Sequence, residues 1–465
     1  MKKLFLIIIV LLNVSAMAQP VAQKLDSLLN DDLLQTSEVG ISVFDLTDGK
    51  SLYRYQDEHL YRPASVEKII TSVATLDKLG SDYTFDTKLC YTGKIVNGTL
   101  NGNLYVIGGF DPEFMESDLD SMVKAVKDSG IKYIADSLIA DVSMTDSTYW
   151  GPGWSWDDGQ YYFQPYLSPL MLNRGYVDIS LYPSQKGALA RINVSPESGY
   201  YTVQNKALSR VPKAGLLSVS RDWMNNSNEI LVSGNVPYNI NKKVPLHDSR
   251  GFFFRTFIEK LIKAGIRAKY YEYADFNENV AEVTNLFTVK RPLDNVLKRA
   301  LKKSDNLNAE AMFYNLASKS KSTKRVKSED GSNAINNFIR MSLGFNPDNY
   351  RIVDGSGISL YNYVSPQLLV EFLKYAYYHP NIFYSFYDSL PIAGLDGTLK
   401  NRMKLTVAQG NVRAKTGTVT GVSSLAGYVK GKDGHQLAFV IINQNILDSK
   451  KAHAFQDKIC KILAE

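Results

Sequence analysis

Three short motifs stand in fixed order along the chain: Ser65-Val66-Glu67-Lys68, then Ser304-Asp305-Asn306, then Lys415-Thr416-Gly417. Their spacing constrains the fold more than any other feature. Ser304 lies 239 residues beyond Ser65, whereas Lys415 lies only 109 beyond Asn306. If the three meet in one place, a large block must loop out between the first two, and the domain that carries them is discontinuous. The chain has room for this, because the 447 residues after Ala18 correspond to about three domains at roughly 150 residues each.

The local pattern agrees. Residues 39–46 alternate like a strand, Thr47-Asp48-Gly49-Lys50 is a turn, and 51–56 returns, so a hairpin precedes the first motif. Pro63-Ala64 then introduces Ile69, Ile70, Val73, Leu76 and Leu79, which keep helical spacing and stop at Gly80. Ser65 is thereby expected in the first turn of a core helix. Lys68, three residues on, shares its face and can reach the Ser65 hydroxyl, and the helix N-terminus favours negative charge developing there.

Within the looped-out block, residues 181–234 consist of short alternating runs (190–194, 200–203, 216–219, 229–232) punctuated by Pro, Gly and Asn, which predicts a small all-β module. Residues 249–264 form an amphipathic helix ending at Gly265, part of a mixed α/β region around that module. A helix over 293–303 buries Val296, Leu297 and Leu301, and another starts near Leu307, so Ser304 to Asn306 fall in the bend between two helices. Residues 412–418, 423–429 and 437–444 read as consecutive antiparallel strands. Lys415-Thr416-Gly417 is then on a strand, where Gly417 leaves room for a ligand backbone.

These signals differ in specificity. Ser-x-x-Lys also occurs at Ser121/Lys124, Ser129/Lys132 and Ser318/Lys321, whereas Lys-Thr-Gly occurs once. Each motif has a plain alternative: Ser65 as a helix N-cap, Ser304 as a turn residue, Lys415 as an exposed strand lysine. Their order and context favour a shared nucleophilic site.

Residues 1–18 join Lys2 and Lys3 to an apolar run over 4–12 and then Ala16-Met17-Ala18, the pattern of a secretory signal peptide cleaved after Ala18. The run is too short for a membrane span, which needs about 20 apolar residues. No later segment supplies an anchor. Loss of the two lysines takes the formal net charge from +6 to +4, too balanced to indicate a nucleic-acid partner. The basic stretch 319–327 is diluted by Ser and Thr and reads as a solvated loop. Cys90 and Cys460 lie 370 positions apart with no Cys-x-x-Cys and no clustered His, so neither a metal site nor a redox motif is indicated, and their pairing stays open.

On these motifs, and on Arg62-Pro63-Ala64-Ser65, Gly108-Gly109-Phe110-Asp111-Pro112, Asp354-Gly355-Ser356-Gly357 and Gly394-Leu395-Asp396-Gly397-Thr398-Leu399, the chain resembles a low-molecular-mass class C penicillin-binding protein of the D-alanyl-D-alanine carboxypeptidase/endopeptidase family. The resemblance implies an α+β fold: a penicillin-recognising transpeptidase/β-lactamase-like domain, an antiparallel sheet with helices on both faces, interrupted by an α/β insertion with a nested β-rich module. The expected division is a signal peptide 1–18, catalytic domain 19–88 and 285–465, insertion 89–180 and 243–284, and nested module 181–242. The implied setting is the periplasm, and the implied ligands are peptidoglycan stem peptides and β-lactams. No metal or organic cofactor is required.

Roles follow from what each residue can do. Ser65 attacks the carbonyl of the penultimate D-alanine once a base takes its proton. Lys68 is that base if burial and a cation such as Lys415 favour its neutral form. Ser304 relays the proton to the leaving amine, and Asn306 holds Lys68 and the substrate amide. Lys415, with the hydroxyls of Thr416 and Thr418, binds the terminal carboxylate, beside Gly417. The N–H groups of Ser65 and Thr418 form the oxyanion hole. Residues 149–162 hold three of the four tryptophans. They read either as a packing cluster or, by resemblance, as the loop that recognises the peptide side chain, with Asp158 on the free amine of diaminopimelate and Asp157 beside it leaving the register uncertain by one. Two rival functions are a β-lactamase using Glu329 and Asn333, and a non-catalytic β-lactam-binding scaffold. The residues leave open the balance of carboxypeptidase and endopeptidase action, and the oligomeric state.

Overall fold

The computed structural model describes residues 21–146, 148–276, 282–321 and 325–465, so the signal-peptide stretch and part of the basic stretch lie outside the described residues. Among the described residues no helix is long and apolar enough to cross a membrane. The chain divides into two compact units: Met1–Ser81, Leu297–Leu316 and Gly331–Glu465 form the first, Asp82–Val296 and Ala317–Asp330 the second.

The first unit is built on a five-stranded antiparallel sheet whose strands run, edge to edge, Arg413–Val419, Val422–Lys430, Gln436–Gln444, Glu38–Asp45, Lys50–Tyr55. Val422–Lys430 and Gln436–Gln444 are buried on both faces, because successive side chains point to opposite sides and each side meets helices. On one side Leu425, Phe439 and Ile441 pack with Phe455, Ile459 and Cys460 of the C-terminal helix Ser449–Ala464. On the other, Tyr428 donates its hydroxyl to the Leu373 carbonyl of helix Pro366–Tyr378. Helix Glu67–Leu79 is buried over its first ten residues, through Leu76.

The second unit holds a seven-stranded mixed sheet with the order Val283–Pro292, Thr84–Thr92, Leu104–Ile107, Tyr133–Asp141, Thr99–Asn101, Lys94–Val96; Arg267–Tyr273 pairs in parallel with Tyr133–Asp141. Two three-stranded sheets follow, one from Tyr176–Tyr182, Arg191–Ser195 and Ile240–Pro245, the other from Thr202–Ser209, Ser218–Arg221 and Glu229–Val236. Helix Ser249–Lys263 buries Phe252, Phe253, Phe257 and Leu261 in the core of this unit.

The division falls at 81/82 and 296/297 rather than at the expected 88/89 and 284/285. The cause is pairing at a distance: Thr84–Thr92 and Val283–Pro292 hydrogen-bond along their lengths, from Thr84 opposite Pro292 to Thr92 opposite Val283, and so belong to one sheet. Residues 317–330 also fall with the second unit, where Val326 exchanges backbone hydrogen bonds with Met144 and Asp146. The β-rich part spans 176–245 rather than 181–242, because Tyr176–Tyr182 pairs with Ile240–Pro245 over its first six residues. Cys90 and Cys460 are each free, buried thiols.

Candidate active site

Ser65 lies in the 3-10 turn Ala64–Val66, two residues before helix Glu67–Leu79 starts, and not within that helix. Neither helical segment receives a side-chain cap there, so Ser65 is not an N-cap. Ala64 has a φ of 49°, in the left-handed region, a conformation that non-glycine residues adopt at some cost. The turn is held from two directions. Ser424 donates its hydroxyl to the Pro63 carbonyl at 2.7 Å. Gly357, at φ +77°, packs so tightly that a Cβ there would lie 2.0 Å from the Ala64 oxygen.

Lys68 points back along the helix and gives three hydrogen bonds: to Ser65 Oγ at 2.9 Å, Asn306 Oδ1 at 2.8 Å and the Ser356 carbonyl at 2.6 Å. Two of these partners are acceptors only. A neutral amine, with two N–H groups and one lone pair, therefore satisfies all three by donating to Asn306 and Ser356 while its lone pair faces the Ser65 O–H. Lys68 is fully buried. Burial lowers its pKa from 10.5 to about 8, against the opposing charges of Asp354, Glu310, Asp305 and Glu67.

The second motif divides its labour by position. Ser304 sits at the bend with φ 56°. Asp305 accepts from the Asn308 amide at 3.2 Å and pairs with Arg299 at 3.3 Å, fixing the start of helix Asn306–Ser320. Asn306, the first residue of that helix, reaches Lys68.

The strand Arg413–Val419 brings in the third motif. Lys415, fully buried, donates to Ser304 Oγ at 2.7 Å and to the Thr416 carbonyl at 2.6 Å. Burial holds its pKa well below that of an ordinary lysine, and the Lys68 charge lowers it further. Two amines this close and this buried do not both keep their protons easily, and an incoming carboxylate would restore the charge on Lys415. The expected open space at Gly417 is filled by the protein itself: a Cβ there would lie 2.1 Å from Ser424 Oγ and 2.9 Å from both the Pro63 carbonyl oxygen and the Ser65 nitrogen. Gly417 thus lets its strand press against the turn that carries Ser65, with Thr418 next to it. The Thr418 hydroxyl donates to the Gly417 carbonyl at 2.8 Å, and Thr416 bonds Thr398 at 2.8 Å.

Direct hydrogen bonds therefore join Ser65 and Asn306 to Lys68, and Ser304 to Lys415, with all five residues in one unit. Asp158 belongs to the other unit, in the 3-10 turn Trp156–Gln160. Its half-buried carboxyl is raised by desolvation and then by Asp157. The aromatic stretch packs within that unit: Trp156 lies 5.3 Å from Trp223, and Trp150 meets Tyr166 edge-on at 5.0 Å. Glu329, the base a β-lactamase reading would need, is largely exposed and pairs with Lys327.

Functional positions that motif reading did not assign are Ser356, through its carbonyl, and Thr398, through its hydroxyl. Both lie in the Asp354-Gly355-Ser356-Gly357 and Gly394-to-Leu399 segments, so the available signal was family likeness, without any pattern that assigns a role. Beneath Ser356 lies an acidic group. Asp354 accepts from Gly357 N at 2.8 Å, Ser359 N at 2.8 Å and Asn362 Nδ2 at 2.7 Å. Glu310 accepts from Gly355 N at 3.1 Å, and burial, with the Asp354 charge adding, raises its pKa to about 8.

The sequence profile of the D-Ala-D-Ala carboxypeptidase 3 (S13) family matches residues 21–465. A D-alanyl-D-alanine carboxypeptidase of Actinomadura sp. (strain R39) is 30% identical over 463 residues, covering 95% of this chain and 84% of that protein. The D-alanyl-D-alanine carboxypeptidase DacB of Haemophilus influenzae is 29% identical over 430 residues, covering 89% and 86%. Among solved structures, penicillin binding protein 4 (dacB) from Haemophilus influenzae superposes with a TM-score of 0.79 at 26% identity, over 96% of this chain and 97% of that one.

Proposed function

The chain belongs to the D-Ala-D-Ala carboxypeptidase 3 (S13) family, and on that premise we propose how its own residues carry out the reaction. It is a serine-type D-alanyl-D-alanine carboxypeptidase that binds β-lactams. The observation that carries the assignment of residues is the buried Lys68 amine, hydrogen-bonded to Ser65 Oγ, Asn306 Oδ1 and the Ser356 carbonyl.

Neutral Lys68 takes the proton of Ser65 as Oγ attacks the carbonyl carbon of the penultimate D-alanine of a peptidoglycan stem peptide. The N–H groups of Ser65 and Thr418 receive the oxyanion; such a donor is typically worth about 3 kcal/mol. Lys415 donates to Ser304 Oγ, which leaves the Ser304 hydroxyl proton free to point at the leaving nitrogen, so Ser304 delivers to it the proton collected by Lys68. D-alanine departs and Ser65 carries the acyl group. Water then gives a proton to Lys68 as its oxygen attacks the acyl carbon, the bond from that carbon to Ser65 Oγ breaks, Oγ takes the proton back from Lys68, and the shortened peptide leaves with a new carboxylate. Lys415, Thr416 and Thr418 hold the terminal carboxylate, and Gly417 sets the distance between that strand and the nucleophile. A β-lactam follows the same first steps and is retained, because its leaving group stays tethered. Asp158 reads the amine of the peptide side chain, and cleavage of cross-links by the same chemistry supplies the endopeptidase activity. The signal-peptide pattern in residues 1–18 supports action in the periplasm.

Fluorescent penicillin followed by an unlabelled chase tests this assignment, with D-alanine release measured in parallel. A long-lived adduct and peptide cleavage, both lost in Ser65→Ala, are expected. The variant should lose only about 1 kcal/mol of stability, the worth of the hydrogen bond between Ser65 Oγ and the buried Lys68 amine. Rapid loss of the label would point to a β-lactamase, stable labelling without cleavage to a scaffold, and labelling of Ser65→Ala would remove Ser65 as the nucleophile.

A further inference from the structure

Glu67 is the one titratable residue of the first motif whose side chain the mechanism leaves unused, and it has no exposed surface. Among the described residues neither of its buried carboxyl oxygens has a hydrogen-bond partner. Its Cβ lies under the Asp354-to-Gly357 turn, 2.7 Å from where a Cβ on Gly357 would stand. The charged and titratable groups facing it are Lys68 on its own helix, Asp354 on the turn above and Glu310 on helix Asn306–Ser320. Lys68 gives it no hydrogen bond, because all three of the amine's directions go to Ser65, Asn306 and Ser356, and its charge only partly offsets the effects of burial and Asp354. A carboxylate without donors, beside other acids and away from water, is strongly disfavoured relative to the neutral acid.

Resting on the assignment of Lys68 as the base, we propose that Glu67 is a positioning residue for it: kept as the neutral acid, its side chain excludes water from the flank of Lys68 without supplying a negative charge that would hold the proton on the amine. The two requirements explain why a long polar side chain is tolerated in a dry place. An apolar-sized plug keeps the base desolvated, and desolvation is the main cause of the lowered proton affinity of Lys68. An ionised Glu67 would act in the opposite direction, by stabilising the ammonium. Burial and the Asp354 charge both push the Glu67 carboxyl well above the usual carboxylate range.

The test reads the pH dependence of penicillin acylation together with the infrared carbonyl band of a protonated carboxylic acid. Glu67→Ala opens room for water beside Lys68, so its rising limb should move to higher pH by about one unit, with acylation at pH 7 about tenfold slower. Glu67→Gln, neutral and of the same shape, should rescue the limb. The acid band should be present in the unreacted wild type at pH 7 and weaker by one group in Glu67→Gln. An unmoved limb in Glu67→Ala, or a limb in Glu67→Gln displaced to lower pH by a unit or more, overturns the proposal, as does an acid band that Glu67→Gln leaves unchanged. If Glu67→Ala does not fold, the band and the Glu67→Gln limb still decide. A wild type with the acid band and no limb at all overturns the assignment of Lys68 as base, and this inference with it, whereas a limb without the band overturns only the inference.

Discussion

If Lys68 is the base, replacing it with methionine, which is similar in length but has no titratable group, must remove both the rate and its dependence on pH. The magnitude follows from the lowered pKa of about 8. About 1% of Lys68 is neutral at pH 6 and half at pH 8, so acylation by a penicillin should rise roughly fiftyfold between them and only about twofold more above. In Lys68→Met the profile should be flat over that interval and the rate lower by about 10²- to 10⁴-fold, the usual contribution of a general base. Stopped-flow labelling with a fluorescent penicillin, at substrate below saturation, measures the free enzyme. Folding gives an independent check with a definite sign. The folded pKa of Lys68 lies below its unfolded value of 10.5, so the wild type carries a penalty of about 3 kcal/mol that is fully present below pH 8 and vanishes as pH rises to 10.5. The stability difference between Lys68→Met and wild type should therefore shift toward the wild type by about 1.4 kcal/mol per pH unit above pH 8. A wild-type acylation rate that is flat from pH 6 to 8, or a variant that keeps the rising limb, would refute the assignment.

Other expectations follow from the same geometry. Lys415→Ala should slow acylation by carboxylate-bearing peptide and penicillin far more than it changes the melting temperature, and should affect an ester lacking that carboxylate less; equal losses on both kinds of substrate would place Lys415 in the proton chemistry instead. Gly417→Ala sets a methyl against Ser424 Oγ, the Pro63 carbonyl and the Ser65 amide, so it should cost about 1–3 kcal/mol by overpacking and lower acylation at least tenfold, whereas unchanged acylation kinetics would show that the turn adapts freely. Asp158→Asn should slow cleavage of peptides with a free side-chain amine roughly tenfold to a hundredfold, the worth of a charged hydrogen bond of about 1.5–3 kcal/mol, and leave simple penicillins near wild type. The same selective loss in Asp157→Asn alone would correct the register, and no selectivity in either would make the loop structural.

Much of this protein is written locally. The helix after Pro63-Ala64, the bend at Ser304 to Asn306 and the three C-terminal strands follow from apolar spacing and turn residues, because those depend on neighbours within a few positions. The three motifs, with their order and uneven spacing, determined that one site is assembled from distant pieces around an insertion. Tertiary structure decided the rest, since it depends on partners that spacing does not reveal. The junctions moved because Thr84–Thr92 finds its partner strand about 200 residues away in Val283–Pro292. Ser65 left the helix for a 3-10 turn because Ser424 and Gly357 hold the backbone there. The space at Gly417 went to the protein's own Ser65 turn instead of a ligand. Above all, the sequence names Lys68 but not its protonation. That is fixed by complete burial, by three partners contributed from Ser65, Asn306 and Ser356, and by the acids packed beneath, because the free energy of a charge depends on the dielectric and dipoles around it, which exist only once the chain has folded.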